Sequence, residues 1–166
     1  MDINTKDELR RLLLGLRADE EPQGIGIAGY RVACRRDSFE VLECLKETLA
    51  FILTFHMGME SASDADGEGT DADTIRLLLE EHVMRQLSEW YRQKFGLSAT
   101  DTGSDHVSGF SWGRDWRWWD WRIRTDNDFL LLLEVSGWPC SGLTALRSLL
   151  EKCGAESMDE IPQEEW

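Results

Sequence analysis

The chain has 166 residues, of which 42% are hydrophobic and 30% charged, and its formal net charge at pH 7 is -14. This length and composition are typical of one soluble globular domain, and the charge argues against general nucleic-acid binding because a negative surface repels phosphate backbones. The acidity favours a basic protein partner, although solubility alone explains it equally well.

No segment of the sequence predicts export or membrane insertion. The N-terminus lacks a basic region followed by an uninterrupted apolar stretch, and the longest uncharged run, Thr48 to Met59, is shorter than the ~20 residues of a spanning helix. We therefore expect a cytoplasmic protein. No CxxC pair is present, so free thiols are expected at Cys34, Cys44, Cys140 and Cys153.

The first part of the chain predicts a helix, a loop and a strand. Thr5 and Glu8 form a capping box before leucines at helical spacing, which indicates a helix over residues 6–16. Residues 18–29 are polar and then rich in glycine, as in a loop, and residues 30–34 are typical of a short strand.

A second helix is predicted to lie in the middle of the core. Asp37 and Glu40 repeat the capping pattern, and the residues that follow are apolar on nearly every side of a helix, which requires packing on two faces. Gly58 is expected to end this helix. The residues expected to be most deeply buried are Leu49, Phe51, Ile52, Leu53 and Phe55.

Two more helices and two acidic segments are predicted outside the tryptophan-rich region. Residues 60–73 are rich in Ser, Asp, Gly and Glu and indicate an exposed acidic loop. An amphipathic helix then begins near residue 73 and stops at Gly96, and a last helix is expected to end at Gly154. Residues 156–166 are predicted to form a loose acidic tail.

Six of the eight tryptophans lie in residues 110–138, a segment that predicts a β-hairpin. Trp119 and Trp121 alternate with polar residues, as side chains on opposite faces of a strand do. The preceding pair, Trp116 and Trp118, has the opposite parity. If all four rings are to face one way, a β-bulge is required between Trp118 and Trp119.

The turn of this hairpin is expected in the polar residues 125–128, and an apolar strand over residues 129–135 pairs with the tryptophan strand. A loop of about three residues sets the register. The expected cross-strand pairs are Ile123 with Leu131, Trp121 with Leu133 and Trp119 with Val135. The reverse face then mixes charged residues with leucines, so part of it needs a cover, supplied either by the same chain or by a partner.

Two motifs imitate ligand sites without the context that such sites need. Gly24, Gly26 and Gly29 match GxGxxG, but no strand precedes them and no helix opens after them, so a flexible turn is favoured over a nucleotide site. Residues 64–69 resemble the first half of an EF-hand loop, but its twelfth position is Ile75 instead of the bidentate glutamate. Neither motif predicts a cofactor or a specific metal ion.

No catalytic arrangement is predicted. His56, His82 and His106 are far apart in sequence and lack the spacing of a zinc ligand set. A nucleophilic pair of Cys44 with His56 or His82 stays open because such partners meet only in space, although no strained turn accompanies the cysteine.

The interleaved Trp and Arg residues allow three kinds of function: stacking of single-stranded bases, stacking of sugar rings, or a protein interface. Core rings on a sheet are the structural alternative for Trp119 and Trp121. A pocket lined by Trp116, Trp118, Trp121 and Arg122 is expected if the protein is a small-ligand binder or an enzyme.

The sequence as a whole predicts an α+β fold in one domain over residues 1–155: two central helices on a small antiparallel sheet that contains the hairpin, with short helices near both ends. The predicted function is that of a non-enzymatic, acidic interaction protein, such as an immunity protein or inhibitor that neutralises a basic toxin or nuclease. The alternatives are the ligand binder or enzyme and a structural subunit of a larger assembly. The predicted partner contacts are Asp64, Asp66, Glu68, Asp71, Asp73, Trp112, Arg114, Trp116, Arg117, Trp118, Arg122 and Arg124.

Overall fold

The computed structural model describes residues 5–63, 70–98, 110, 114–137 and 143–166, with the backbone alone over 57–63 and 70–76 and at 79 and 80. The elements in these residues are α1 (Thr5–Leu14), β1 (Gly26–Cys34), α2 (Ser38–Ser63), α3 (Thr70–Phe95), β2 (Trp116–Thr125), β3 (Asp128–Val135), α4 (Leu143–Cys153), β4 (Ala155–Ile161) and a 3-10 helix (Gln163–Glu165). The strands form one antiparallel sheet in the order β2-β3-β1-β4. The predicted α+β fold is confirmed.

Helix α2 is the centre of the domain. It contacts β1, β2 and β3 and also the three other helices. Leu49, Ile52 and Leu53 are almost fully buried, as predicted. Phe51 and Phe55 are only half-buried, so the prediction is wrong for these two residues. Phe51 stacks on Trp90 of α3, with ring centroids 3.8 Å apart. Helix α3 therefore packs mainly on α2 and forms an outer layer of the fold.

The helix boundaries on either side of the acidic segment differ from those predicted. Helix α2 continues through Gly58 to Ser63, and α3 begins at Thr70. A single glycine inside a helix costs only about 1 kcal/mol relative to alanine, so the packing of α2 outweighs it. Asp71 and Asp73 consequently lie in the first turn of α3 and not in a loop.

The β-bulge predicted between Trp118 and Trp119 is present, where the pairing of β2 with β3 shifts register. Its effect on the rings differs from the prediction. Trp116, Trp118 and Trp121 pack in or against the main core, whereas Trp119 packs on the reverse face of the sheet with leucines of β3. The bulge thus divides the tryptophans between two clusters.

The hairpin turn is shorter than predicted, and the predicted register is therefore wrong. Only Asp126 and Asn127 separate β2 from β3, and a second register irregularity lies between Ile123 and Thr125, so Trp121 pairs with Leu131 instead of Leu133. Ile123 pairs with Phe129 instead of Leu131, and Trp119 lies in the bulge between the pairs Trp118–Leu133 and Asp120–Leu132 instead of opposite Val135.

The junction between β1 and α2 holds this short turn in place. The Ser38 N–H donates to the Asp126 carbonyl and the Ser38 hydroxyl to the Thr125 carbonyl, both at 2.7 Å. The Cys34 N–H donates to the Asn127 carbonyl, also at 2.7 Å. A longer loop would carry these acceptors away from their donors.

Two of the three glycines of the GxGxxG motif, Gly24 and Gly29, allow close packing. Gly26 and Gly29 lie inside β1, which begins earlier than predicted. A Cβ atom on Gly24 would lie 2.2 Å from the Val135 carbonyl oxygen, and one on Gly29 would lie 2.0 Å from Nε1 of Trp166. The motif belongs to a central strand, and the helix N-terminus that a pyrophosphate would need does not follow it directly.

The chain itself covers part of the reverse face of the sheet. Trp119 and its leucine neighbours pack there against Leu16, Ile27, Ile161 and Trp166. The prediction of a loose tail over residues 156–166 is wrong, because β4 pairs with β1 and Trp166 folds back onto the sheet.

Gly29→Ala is expected to destabilise the fold by about 1–3 kcal/mol, the usual cost of extra volume in a packed site, because the new methyl group displaces the Trp166 indole. In a Trp166→Ala background the same substitution should cost less, since the ring is gone. Urea unfolding of the two single variants and the double variant measures this coupling. Equal costs in both backgrounds would contradict the packing of Trp166 on Gly29.

Candidate partner-binding surface

Two side chains of α1 bind the outer edge of β2, the strand at one end of the sheet. The Trp118 N–H donates to the Glu8 carboxylate at 2.8 Å, and the Arg11 guanidinium donates to the Trp118 carbonyl at 3.1 Å. Both hydrogen bonds are buried. Helix α1 therefore provides Trp118 with the hydrogen-bond partners that a neighbouring strand would otherwise provide. The Glu8 carboxylate therefore stabilises the edge of the sheet.

Glu8 also neutralises two arginines that precede or begin β2. Its second carboxylate oxygen forms an ion pair with Arg114 and lies 3.8 Å from Nε of Arg117. Arg114 is 6% exposed, and its guanidinium also donates to the carbonyls of Phe110 and Trp116 at 2.9 and 3.0 Å. The chain's own groups thus satisfy both arginines, which stabilise the docking of α1.

A second buried ion pair joins α1 to β3. Arg11 Nη2 lies 3.2 Å from Oε2 of Glu134, and the Arg11 guanidinium stacks over the Trp119 ring at 4.9 Å. The other Glu134 oxygen accepts a hydrogen bond from the Gly24 N–H at 2.8 Å. At this end of β3, the charged group on the mixed face that was predicted for the hairpin therefore has its partners within the chain.

His56 of α2 lies close enough to this arginine cluster for the charges to act on it. Burial, reinforced by the positive charges of Arg114 and Arg117, lowers the pKa of His56 to about 4. The imidazole is therefore neutral at pH 7, and it adds no third positive charge to the cluster.

The hairpin residues predicted as partner contacts fall into two groups. Trp116 and Trp118 are fully buried, and in this structure they stabilise the core with Arg114. Arg122 and Arg124 are exposed near the end of β2, away from α1. The structure brings only this second pair to the surface.

The remaining predicted contacts lie mostly beyond what the structure describes. Trp112 and the EF-hand-like residues Asp64, Asp66 and Glu68 are outside the described residues. The two aspartates at the start of α3 are described by their backbone alone. A role of these residues in binding a partner stays a prediction.

The opposite edge of the sheet is strongly acidic. Strand β4 is anchored by Ala155 and Met158, which are 1% and 3% exposed. It pairs with β1 on one side and with no strand of the described residues on the other. The exposed carboxylates on β4 and directly after it are Glu156, Asp159, Glu160, Glu164 and Glu165. A row of negative charges therefore lies along an edge that has no neighbouring strand among the described residues.

The Cys and His pair that the sequence left open is not formed by the described residues. Cys44 and His56 both lie on α2, where twelve residues correspond to a separation of ~18 Å along the axis. His82 is exposed on α3 and bonds Gln86 at 3.0 Å.

The alternative of a ligand pocket lined by Trp116, Trp118, Trp121 and Arg122 stays a prediction. A shallow cleft of about 410 Å³ lies on α3, and its lining residues do not belong to the hairpin. Its lining residues are Arg85, Gln86, Glu89, Trp90 and Gln93. In the same part of the chain, no helix has both the length and the apolar character needed to cross a membrane, and no three His, Cys, Asp or Glu side chains are grouped to hold a metal ion.

Comparisons of the chain with protein-family models, curated proteins and solved structures found no match. A function therefore has to be inferred from the chain's own residues.

Glu8→Gln should destabilise the fold by about 3–5 kcal/mol, the usual cost of removing one partner of a buried ion pair, because Arg114 and Arg117 lose their neutralising carboxylate. The matched control is Glu81→Gln, which breaks an exposed pair with Arg85 at 3.0 Å. That control should cost at most about 1 kcal/mol. Urea unfolding followed by tryptophan fluorescence gives both values, and similar losses in the two variants would contradict the buried network.

The free energy of unfolding should fall as the pH is lowered from 7 to 5. The pKa of His56 is about 4 in the folded protein and 6.5 in the unfolded chain, so the unfolded state takes up the proton first and stability is lost through this window. His56 alone accounts for about 2 kcal/mol of the loss at pH 5. The His56→Asn variant should show a flatter profile over the same range, and an unchanged slope would show that His56 is not the group responsible.

Proposed function

We propose that the protein is a non-enzymatic interaction protein that binds a basic protein partner through the acidic edge strand β4. The observation that carries this proposal is the set of five exposed carboxylates on and directly after this strand. A concentrated negative surface steers a basic partner toward it and speeds association. An immunity protein or an inhibitor of a basic toxin or nuclease is the class of protein that we favour.

The fixed position of β4 favours a specific binding surface over an acidity that is spread over the whole protein. Met158 and Ala155 are buried and fix the strand against the core, so the carboxylates have defined positions along the edge. A partner strand could add to this edge through main-chain hydrogen bonds while its basic side chains pair with the acids. Charged residues on an edge strand also prevent unwanted pairing between sheets, and the experiment below separates the two roles.

The distribution of charge supports β4 over the hairpin as the site for a basic partner. The exposed arginines Arg122 and Arg124 lie on β2, at the opposite edge of the sheet. A basic surface would be repelled there and attracted at β4. The β4 edge therefore favours a positively charged partner, whereas the β2 edge favours a negatively charged one.

Charge reversal on β4 tests this proposal. Glu160→Lys combined with Glu164→Lys should weaken binding of the basic partner at least about tenfold, because repulsion replaces attraction. The control, Glu81→Lys combined with Glu89→Lys, changes the net charge equally on the outer face of α3. The partner is first captured from the native host on the wild-type protein, and its dissociation constant for each purified variant is then measured at two salt concentrations.

Selective loss of binding in the β4 variant, together with weaker wild-type binding at higher salt, supports the proposal. Equal effects of the two variants would show that net charge alone acts, and no effect of either would show that the acids only protect the edge. Size-exclusion chromatography of each variant detects a third outcome, in which β4 joins two copies of this chain. All three outcomes overturn the proposal of a heterologous partner at β4.

A further inference from the structure

Strand β2 changes from buried to exposed along its length. Trp116, Trp118 and Trp119 are buried, whereas every residue from Arg122 to Thr125 is exposed. Successive side chains of a strand point to opposite faces of the sheet. Both faces of the sheet are therefore open to solvent at the hairpin end of β2, beyond the hydrogen bonds that α1 makes at Trp118.

The outer edge of this end segment of β2 (residues 120–125) has no neighbouring strand among the described residues. Strand β2 pairs with β3 on its inner side and stands last in the sheet. The outward main-chain N–H and C=O groups of the end segment can therefore pair with a further extended chain. At about 3.4 Å per residue, the segment spans about 20 Å, which is the length of an ordinary strand.

One side of the end segment is apolar. Lys46 of α2 lies over the Trp121 ring at 5.1 Å, and the Ser38 hydroxyl donates to the last carbonyl of β2 at 2.7 Å, so the first part of α2 runs beside the end segment. Phe39 precedes Lys46 by about two helical turns and therefore lies on the same side of α2. Phe39 and Ile123 are 56% and 40% exposed. Two exposed apolar side chains thus lie on the helix side of the edge.

The other side of the end segment is basic. Arg122 and Arg31 both lie opposite Leu130, one on each side of β3, so their side chains share the reverse face of the sheet. Arg31 is bound to Asp128 at 2.9 Å, and the charge of Arg124 acts on the same carboxylate. Arg122 is exposed, and no carboxylate of the described residues forms an ion pair with it. This side of the edge therefore attracts negatively charged groups.

We infer that the end segment of β2 binds an acidic protein segment, which adds to the sheet as an extended strand. Because the side chains of a strand alternate, the bound segment places apolar residues beside Phe39 and Ile123 and carboxylates beside Arg122 and Arg124. The chemistry that is recognised is an alternation of apolar and acidic residues. The inference does not depend on the proposed function, since this edge is the opposite one from β4 and favours the opposite charge.

Charge favours such a partner over the other occupants of this edge. Two copies that pair through their β2 edges bring the arginines of one copy near those of the other, and like charges on paired strands are destabilising. A nucleic acid is repelled by the net charge of -14. It also lacks the main-chain groups that pair with a strand edge. The acidic β4 edge of a second copy is separated from a different protein by the last measurement below.

A synthetic peptide tests the surface on the wild-type protein. The probe is a labelled peptide of about eight residues, roughly the length of the end segment, in which valine and glutamate alternate. Fluorescence anisotropy should show that it binds at least about ten times more tightly than the matched peptide of valine and lysine, because the arginines repel the second peptide. Equal binding of the two peptides, or no binding of either, would overturn the proposal.

Two further peptides test the pairing of main chains. One carries N-methyl groups at every valine and the other at every glutamate. Strand addition requires that one of them binds at least about ten times more weakly than the unmodified peptide, because its methylated nitrogens face β2 and can no longer donate. Unchanged binding of both would overturn the addition of a strand.

Charge reversal locates the site. Arg122→Glu combined with Arg124→Glu should weaken binding of the valine and glutamate peptide at least about tenfold. The control, Arg85→Glu combined with Arg147→Glu, changes the net charge equally at exposed positions of α3 and α4. Equal losses in the two variants would show that net charge alone acts and would overturn the assignment to β2. The peptide comparison on the wild-type protein stands even if a variant fails to fold.

Two measurements on the wild-type protein address the other occupants. Size-exclusion chromatography over a range of protein concentrations detects self-association, and anisotropy with a labelled single-stranded oligonucleotide detects nucleic-acid binding. A dimer that Arg122→Glu combined with Arg124→Glu abolishes would assign the edge to a second copy. An oligonucleotide that binds more tightly than the valine and glutamate peptide would assign it to a nucleic acid. Either result overturns the acidic protein partner, and the absence of both supports it.

Discussion

The carboxylate of Glu8 is the contact on which the attachment of α1 to the sheet depends. It takes the place of water as the hydrogen-bond acceptor of a main-chain N–H of β2, and it is the anionic partner of the Arg114 and Arg117 guanidinium groups. Helix α1 is short, and of its three consecutive leucines only Leu12 is buried, whereas Leu13 and Leu14 are 57% and 81% exposed. Apolar side chains therefore bury only a small area of this helix, and the buried charged side chains fix its position on the sheet. They also cover the edge of the sheet beside the bulge.

Sequence reasoning predicted those parts of the fold whose signals are local. The all-round apolar character of α2 placed it in the core, and Asp37 caps it through hydrogen bonds from the N–H groups of Phe39 and Glu40. The bulge was predictable because neighbouring tryptophans change parity within a few residues. The ends of α3 and α4 at Gly96 and Gly154 follow from positive φ angles that glycine adopts readily.

The parts that sequence reasoning missed depend on distant contacts. The two-residue turn of the hairpin accepts hydrogen bonds from Ser38, which lies far from the turn in sequence. Strand β4 has few β-branched residues, and a register irregularity between Ala33 and Cys34 spaces its inward residues unevenly, at Ala155 and Met158. The alternation of apolar and polar residues that predicts a strand is therefore not recognisable in the sequence of β4.

The place of β1 in the sheet has a consequence for how the protein is made. Both of its neighbours, β3 and β4, come from residues 128–161, far along the chain. During synthesis from the N-terminus, β1 and the apolar α2 leave the ribosome long before any strand can pair with them. Pairing over such long loops also slows folding, because chain entropy is lost before the contacts form. The described sheet is therefore complete only after residues 155–161 have been synthesised.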